Sequence, residues 1–223
     1  MLVVFNIPFV LPLTISLMLV FLMREIFVFK NIIPAKYILT PIITLLIIII
    51  SILSLEHSSI ERYTIMIIAG LLFSLIADAL LMVVEVDLLK YGIVFFLIAH
   101  ILYIIAFSGG YHFAFWNLIL AFGLLAGIVL LFFKIKGKTS GLDIPILIYA
   151  IVLCLMVFFA LSTLNSGSGM LQILVVTGSI MFLISDAIIS VDAFIRKIPN
   201  ATVFVWLFYA PAQFLFAISC YFI

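Results

Sequence analysis

Asp78 and Asp186 both lie inside apolar runs of this chain, and their surroundings nearly repeat. Gly70-Leu-Leu-Phe-Ser-Leu-Ile-Ala-Asp78-Ala-Leu-Leu-Met-Val83 aligns without gaps on Gly178-Ser-Ile-Met-Phe-Leu-Ile-Ser-Asp186-Ala-Ile-Ile-Ser-Val191. Six of the fourteen positions are identical, at an offset of 108 residues, close to half the chain. A carboxylate in hydrocarbon costs at least about 2.5–3.5 kcal/mol, so each is a candidate functional residue by default. Two carboxyls brought together in an apolar site cannot both ionise easily, and such a pair supplies one proton donor and one charged base. The spacing predicts a duplicated half that delivers Asp78 and Asp186 to one place, where they hold a single shared proton.

Other polar side chains recur at helical spacing in the same regions. His100 and Tyr103 stand at i and i+3, and Tyr209 and Gln213 at i and i+4, so each pair shares a face. Ser74 precedes Asp78 by one turn, Ser185 adjoins Asp186, and Tyr149 lies near one end of its run. Lys36 and Tyr37 open a run that carries Pro41. Each also has a plainer reading. A histidine in a membrane helix can bond a neighbouring carbonyl, tyrosines can pack, and a glutamine can link helices. Lys36 can be a snorkelling anchor. Glu85, Asp87 and Asp192 read as water-exposed helix ends. Gly123 and Gly127 have the small-xxx-small spacing of close helix packing.

The elements that must position these groups follow from composition. The chain is 69% hydrophobic and 9% charged, far below the roughly 25% of soluble domains. It reads as an integral membrane protein with almost nothing outside the bilayer. A span needs about 20 apolar residues. Eight such runs occur, at roughly 3–23, 36–55, 64–84, 91–108, 113–133, 142–162, 170–191 and 202–222. The predicted fold is all-α: one transmembrane domain over 1–223, with eight helices in a pseudo-twofold parallel 4+4 repeat. The halves are roughly 1–110 and 111–223. The first run lacks a basic flank and a small-residue cleavage site, and reads as a retained helix rather than a signal peptide. Cys154 and Cys220 read as core residues rather than a disulfide.

Lys and Arg set the orientation. Alternate breaks hold Arg24, Lys30, Lys36, Lys90, Lys134, Lys136, Lys138, Arg196 and Lys197, against Arg62 alone on the other side. Both termini are therefore expected outside the cytoplasm, in what reads as a bacterial inner membrane. The third and seventh spans then run the same way, with both aspartates in the cytoplasmic half. No zinc, nucleotide or serine-hydrolase motif is present, and no basic, aromatic-interleaved patch points to nucleic acid. The expectation is a site without metal or cofactor.

The string Ala77-Asp78-Ala-Leu-Leu-Met82, with Phe95 through His100 to Tyr103, Gly178 through Phe182 to Ser185-Asp186, and Tyr209 followed by Gln213, resembles the YhhN-like lysoplasmalogenase family. Lys36 with Pro41 extends the resemblance, which covers the second, third, fourth, seventh and eighth spans. The chain departs from the pattern at Ala77, where glycine is expected, and at Ala210-Pro211 before Ala212-Gln213. The resemblance implies hydrolysis of the vinyl ether bond of lysoplasmalogens, releasing a fatty aldehyde and glycerophosphoethanolamine or -choline. Asp78 and Asp186 would be the catalytic acid and base. His100, Tyr103, Tyr209 and Gln213 would orient them, with Ser74, Ser185 and Tyr149 near by, and Lys36 would meet the substrate phosphate. The substrate is then a lysophospholipid among membrane lipids. A proton-coupled transporter of a small or lipid-like substrate is the alternative, since parallel repeats with embedded aspartates also describe carriers.

Overall fold

In hydrocarbon every backbone N–H and C=O must be bonded within the chain, which leaves an apolar sequence like this one the helix. A computed structural model shows that outcome, and it describes residues 4, 7–30, 32–56, 61–82, 88–109 and 111–223. Among the described residues there are eight α-helices: α1 (Val10–Phe29), α2 (Ile33–Leu53), α3 (Arg62–Met82), α4 (Leu89–Ser108), α5 (Trp116–Ile135), α6 (Asp143–Ser162), α7 (Met170–Phe194) and α8 (Ala201–Ser219). Each is long and apolar enough to cross a membrane. No strand occurs among the described residues. Glu85 and Asp87 lie outside them.

Seven helices fall within a few residues of the expected runs. The exception is α1, which starts and ends about six residues later than hydropathy suggests and so contains Arg24 and Glu25. Those charges fit inside a span because they are paired with each other and buried. The positive bias of the breaks survives without Arg24, at eight against one. At the same end of the bundle Asn200 takes the left-handed conformation (φ 55°) that asparagine tolerates, and α8 starts there after a tight turn.

The core is built from every helix but α5, with Val10 and Leu17 contributed by α1. The pairings α3 with α4, α1 with α2, α2 with α3 and α2 with α8 recur at an offset of four helices as α7 with α8, α5 with α6, α6 with α7 and α6 with α4. The arrangement departs from this correspondence at α1, which also packs on α8. α5 packs on α6 and turns Ile119, Phe122, Leu130 and Phe133 outward. Gly123 and Gly127 on α5 have open space where a side chain would go, so the expected close packing at these two positions is absent. Cys154 and Cys220 are both free.

Among the glycines that carry close approaches are the two that begin the matched segments. A Cβ on Gly70 would stand 2.3 Å from Cε1 of Tyr103, and one on Gly178 would stand 2.7 Å from Cε1 of Phe216. Each glycine therefore seats an aromatic ring of the following helix against its backbone. Gly70→Ala is expected to destabilise the protein by about 1–3 kcal/mol, because the Tyr103 ring is held by α4 and cannot move freely. Gly123→Ala should be neutral or stabilising by up to about 1 kcal/mol, since alanine favours the helix and meets nothing. Thermal unfolding of both variants in detergent measures the contrast. Equal stability of the two would show that Tyr103 is not packed as described.

Candidate active site

The ends of α3 and α7 and the starts of α2, α4 and α8 meet at one end of the bundle. Between them lies a cavity of about 240 Å³ whose wall includes Asp78, Asp186, Lys36, Ser185 and Tyr209. Both aspartates are buried, at 6% and 8% exposure. Both carboxyls therefore line one cavity. No hydrogen bond joins Asp78 to Asp186, and separate donors engage each of them, so a directly shared proton is not what this geometry provides.

Asp78 is the more heavily supported. Its Oδ2 accepts a hydrogen bond from Tyr209 Oη at 2.9 Å and another from Thr44 Oγ1 at 3.1 Å. Behind Tyr209 a relay continues: Tyr103 Oη donates to Gln213 Oε1 at 2.7 Å, and Gln213 Nε2 donates to Tyr209 Oη at 3.1 Å. Every donor in this chain points toward the Asp78 carboxylate, so each bond polarises the next in its favour. Asp186 has one such partner. Tyr149 Oη donates to its Oδ2 at 2.5 Å.

The other candidates fall into place around these two. Tyr209, Lys36 and Ser185 line the cavity. The Ser185 hydroxyl is buried with no hydrogen-bond partner among the described residues, and that of Ser74, deeper on α3, lies by Tyr103. Tyr103 and Gln213 sit behind the wall and act through Tyr209. His100 follows its plainer reading: Nδ1 lies 2.6 Å from the Phe96 carbonyl and, facing an acceptor, carries the proton. Its ring packs edge-on against Tyr149 and Phe182, and it contacts neither carboxyl. It therefore shapes the seat of Tyr149 rather than the reacting group. Asp192, expected in water, is half-buried inside the longer α7 and lines the cavity. Lys197 pairs with it at 3.5 Å, and it accepts a hydrogen bond from the Ile198 backbone N–H.

Several residues here were not anticipated. Thr44 holds Asp78, and Thr40 and Trp206 form cavity wall. The signal for them is periodic: Lys36, Thr40 and Thr44 repeat every fourth residue on α2, and Thr202, Trp206, Tyr209 and Gln213 follow one face of α8. Arg24 is fully buried beside this wall. Its Nε donates to Thr40 Oγ1 at 3.2 Å, its guanidinium lies 4.1 Å over the Trp206 ring, and it forms an ion pair with Glu25. Its charge acts on Asp78 as well. Among the described residues no cation acts on Asp186 in this way. Among the described residues no group of three or more His, Cys, Asp or Glu comes together as a metal-ligand set.

The arrangement joins a cation at the cavity wall, two carboxyls of unlike surroundings, and apolar walls, which suits acid–base chemistry on an amphiphilic molecule. Comparison with curated proteins and with solved structures finds no match. A family model does: it spans residues 35–220 and so takes in every cavity residue named above, from Lys36 to Tyr209, leaving out only Arg24 on α1. The chain belongs to the YhhN family.

Proposed function

We propose that this protein hydrolyses the vinyl ether bond of lysoplasmalogens, releasing a fatty aldehyde and a glycerophospho-ethanolamine or -choline. The observation that carries the reading is that two buried aspartates from the two halves line one cavity together with Lys36. Vinyl ethers are stable to base and are cleaved by protonating the β-carbon, which gives an oxocarbenium ion that water attacks. One protonated carboxyl and one carboxylate meet both needs, as in glycoside hydrolysis, which passes through a similar cation. Membership of the YhhN family agrees with this activity.

The same reading places the site in the membrane. We take the eight positive residues flanking the helices at the cavity end to face the cytoplasm, with both termini on the other side of a bacterial inner membrane. We also take the recurring helix pairs as the mark of duplicated halves. No bound cofactor is needed for protonation and hydration. The carrier alternative has less support, because α3 and α7 run unbroken past both aspartates, whereas carriers commonly break helices at the binding site. Uptake of the same lipid into proteoliposomes without aldehyde formation would favour it.

The direct test is incubation of purified protein with a lysoplasmalogen, beside the matching ester-linked and saturated ether lysolipids, with aldehyde measured by mass spectrometry. Aldehyde from the vinyl ether alone is the expected result, and its absence overturns the proposal. Lys36→Ala should raise KM about tenfold or more with kcat nearly unchanged. A lost charged hydrogen bond to phosphate is worth about 1.5–3 kcal/mol, and it is made equally before and during the reaction. A fall in kcat alone would remove Lys36 from phosphate binding.

A further inference from the structure

A second, smaller cavity of about 80 Å³ adjoins the first, and Asp186 lies on the wall of both. Its remaining lining is almost wholly apolar, with Leu89, Ile93, Ile146 and Phe194 closing it between α4, α6 and α7. Asp78, Lys36 and Asp192 belong only to the first cavity. Two other apolar hollows, one between α1, α2 and α8 and one between α5 and α6, share no wall residue with the aspartate cavity. An apolar space thus borders the charged one, and a carboxyl lies on the wall they share.

We infer that this second cavity is the subsite for the first methylenes of the substrate's hydrocarbon tail, so that Asp186 faces the tail side of the scissile bond and Asp78 the headgroup side. The inference rests on the reading of the substrate as a single-chain ether lipid. It orders the chemistry. In O–CH=CH–R the β-carbon is on the tail side, next to Asp186, and the carbon bearing oxygen is on the headgroup side, next to Asp78. The Asp186 carboxyl gives its proton to the β-carbon as the double bond opens to the oxocarbenium ion. Water then bonds to the oxygen-bearing carbon while the Asp78 carboxylate takes a proton from it. In the collapse of the hemiacetal, the bond to the glycerol oxygen breaks and that oxygen receives the proton from Asp78. The hemiacetal hydroxyl returns its proton to Asp186 as the aldehyde forms, which restores both groups. The surroundings agree with this division independently of the cavities. Two hydroxyl donors and a polarised relay favour Asp78 as the carboxylate, while Asp186 has a single hydroxyl donor.

Filling the small cavity tests it. Ser190 is on its wall and half-buried, so Ser190→Phe puts a ring where the tail would lie. The probes are non-cleavable saturated ether lysolipids with the same headgroup and either an octadecyl or an ethyl chain, the ethyl carbons standing only for the two vinyl carbons, titrated against the fluorescence of Trp206 on the first cavity's wall. Ser190→Phe should weaken octadecyl binding at least about tenfold, the effect of losing roughly two buried methylenes, and leave ethyl binding within about threefold. Ile93→Phe, from α4, should do the same if Ser190→Phe does not fold. Leu155→Phe, in the α5–α6 hollow, should change neither. Equal loss for both chain lengths, or no loss for the longer, overturns the subsite. Because binding is read without turnover, a wild-type protein that binds the long chain through this cavity and releases no aldehyde would sink the proposed activity and leave the subsite standing.

Discussion

Asp186→Asn and Asp78→Asn should each lower aldehyde release by about 10²–10⁴-fold, the usual worth of a positioned acid or base. The double variant should be little worse than either single one, because groups that act in one sequence of steps are not additive. Asparagine keeps an acceptor oxygen for Tyr209, Thr44 or Tyr149 and changes volume very little, so both variants should fold with unfolding temperatures close to the parent's. The two losses differ in kind, and deuterium oxide separates them. With Asp78→Asn, Asp186 still protonates the β-carbon, but water capture is slow and the cation returns its proton. Deuterium then accumulates in the unreacted substrate. With Asp186→Asn no exchange occurs, since the donor itself is gone. Exchange in the Asp186 variant and not in the Asp78 variant would reverse the assignment, and near-normal turnover in either variant would remove that aspartate from the chemistry.

The asymmetry behind that expectation was only half legible in the sequence. The matched segments named both aspartates, and hydropathy placed seven of eight helices, because an embedded charge and a run of about 20 apolar residues are strong signals on their own. The pair Tyr209 and Gln213 was legible for the same reason, as polar residues at i and i+4. What failed was the choice of face. These helices are apolar all round, so no hydrophobic stripe says which way a lone polar side chain points. His100 lies at a suitable depth yet bonds the Phe96 carbonyl, whereas Thr44, an unremarkable hydroxyl in an isoleucine-rich run, holds Asp78. The direct meeting of the carboxyls failed too. Span counting puts them at a common depth but does not show that Tyr209 and Tyr149 engage them separately. Arg24 was lost for a further reason: two adjacent charges look like the end of a span, and only the three-dimensional pairing with Glu25 and Trp206 shows that they are inside one.

Arg24→Met is expected to be the most destabilising single substitution in the molecule, at about 3–5 kcal/mol, because it leaves Glu25 buried with no counter-charge. The double variant Arg24→Met/Glu25→Leu should recover most or all of that loss, since apolar side chains of similar volume commonly replace a buried ion pair at no cost. Unfolding in detergent, followed by intrinsic fluorescence, measures both. Activity should not recover with stability. The double variant still lacks the bond to Thr40, the cation over the Trp206 ring and the positive charge acting on Asp78, all on the side of the cavity where the carboxylate is proposed to work. Aldehyde release about tenfold or more below the parent, in a protein of parental stability, would separate an electrostatic role from a packing one, because packing is what the double variant restores. A stable and fully active double variant would instead make the Arg24–Glu25 pair a scaffold device, and Asp78 would then owe its charge to Tyr209 and Thr44 alone.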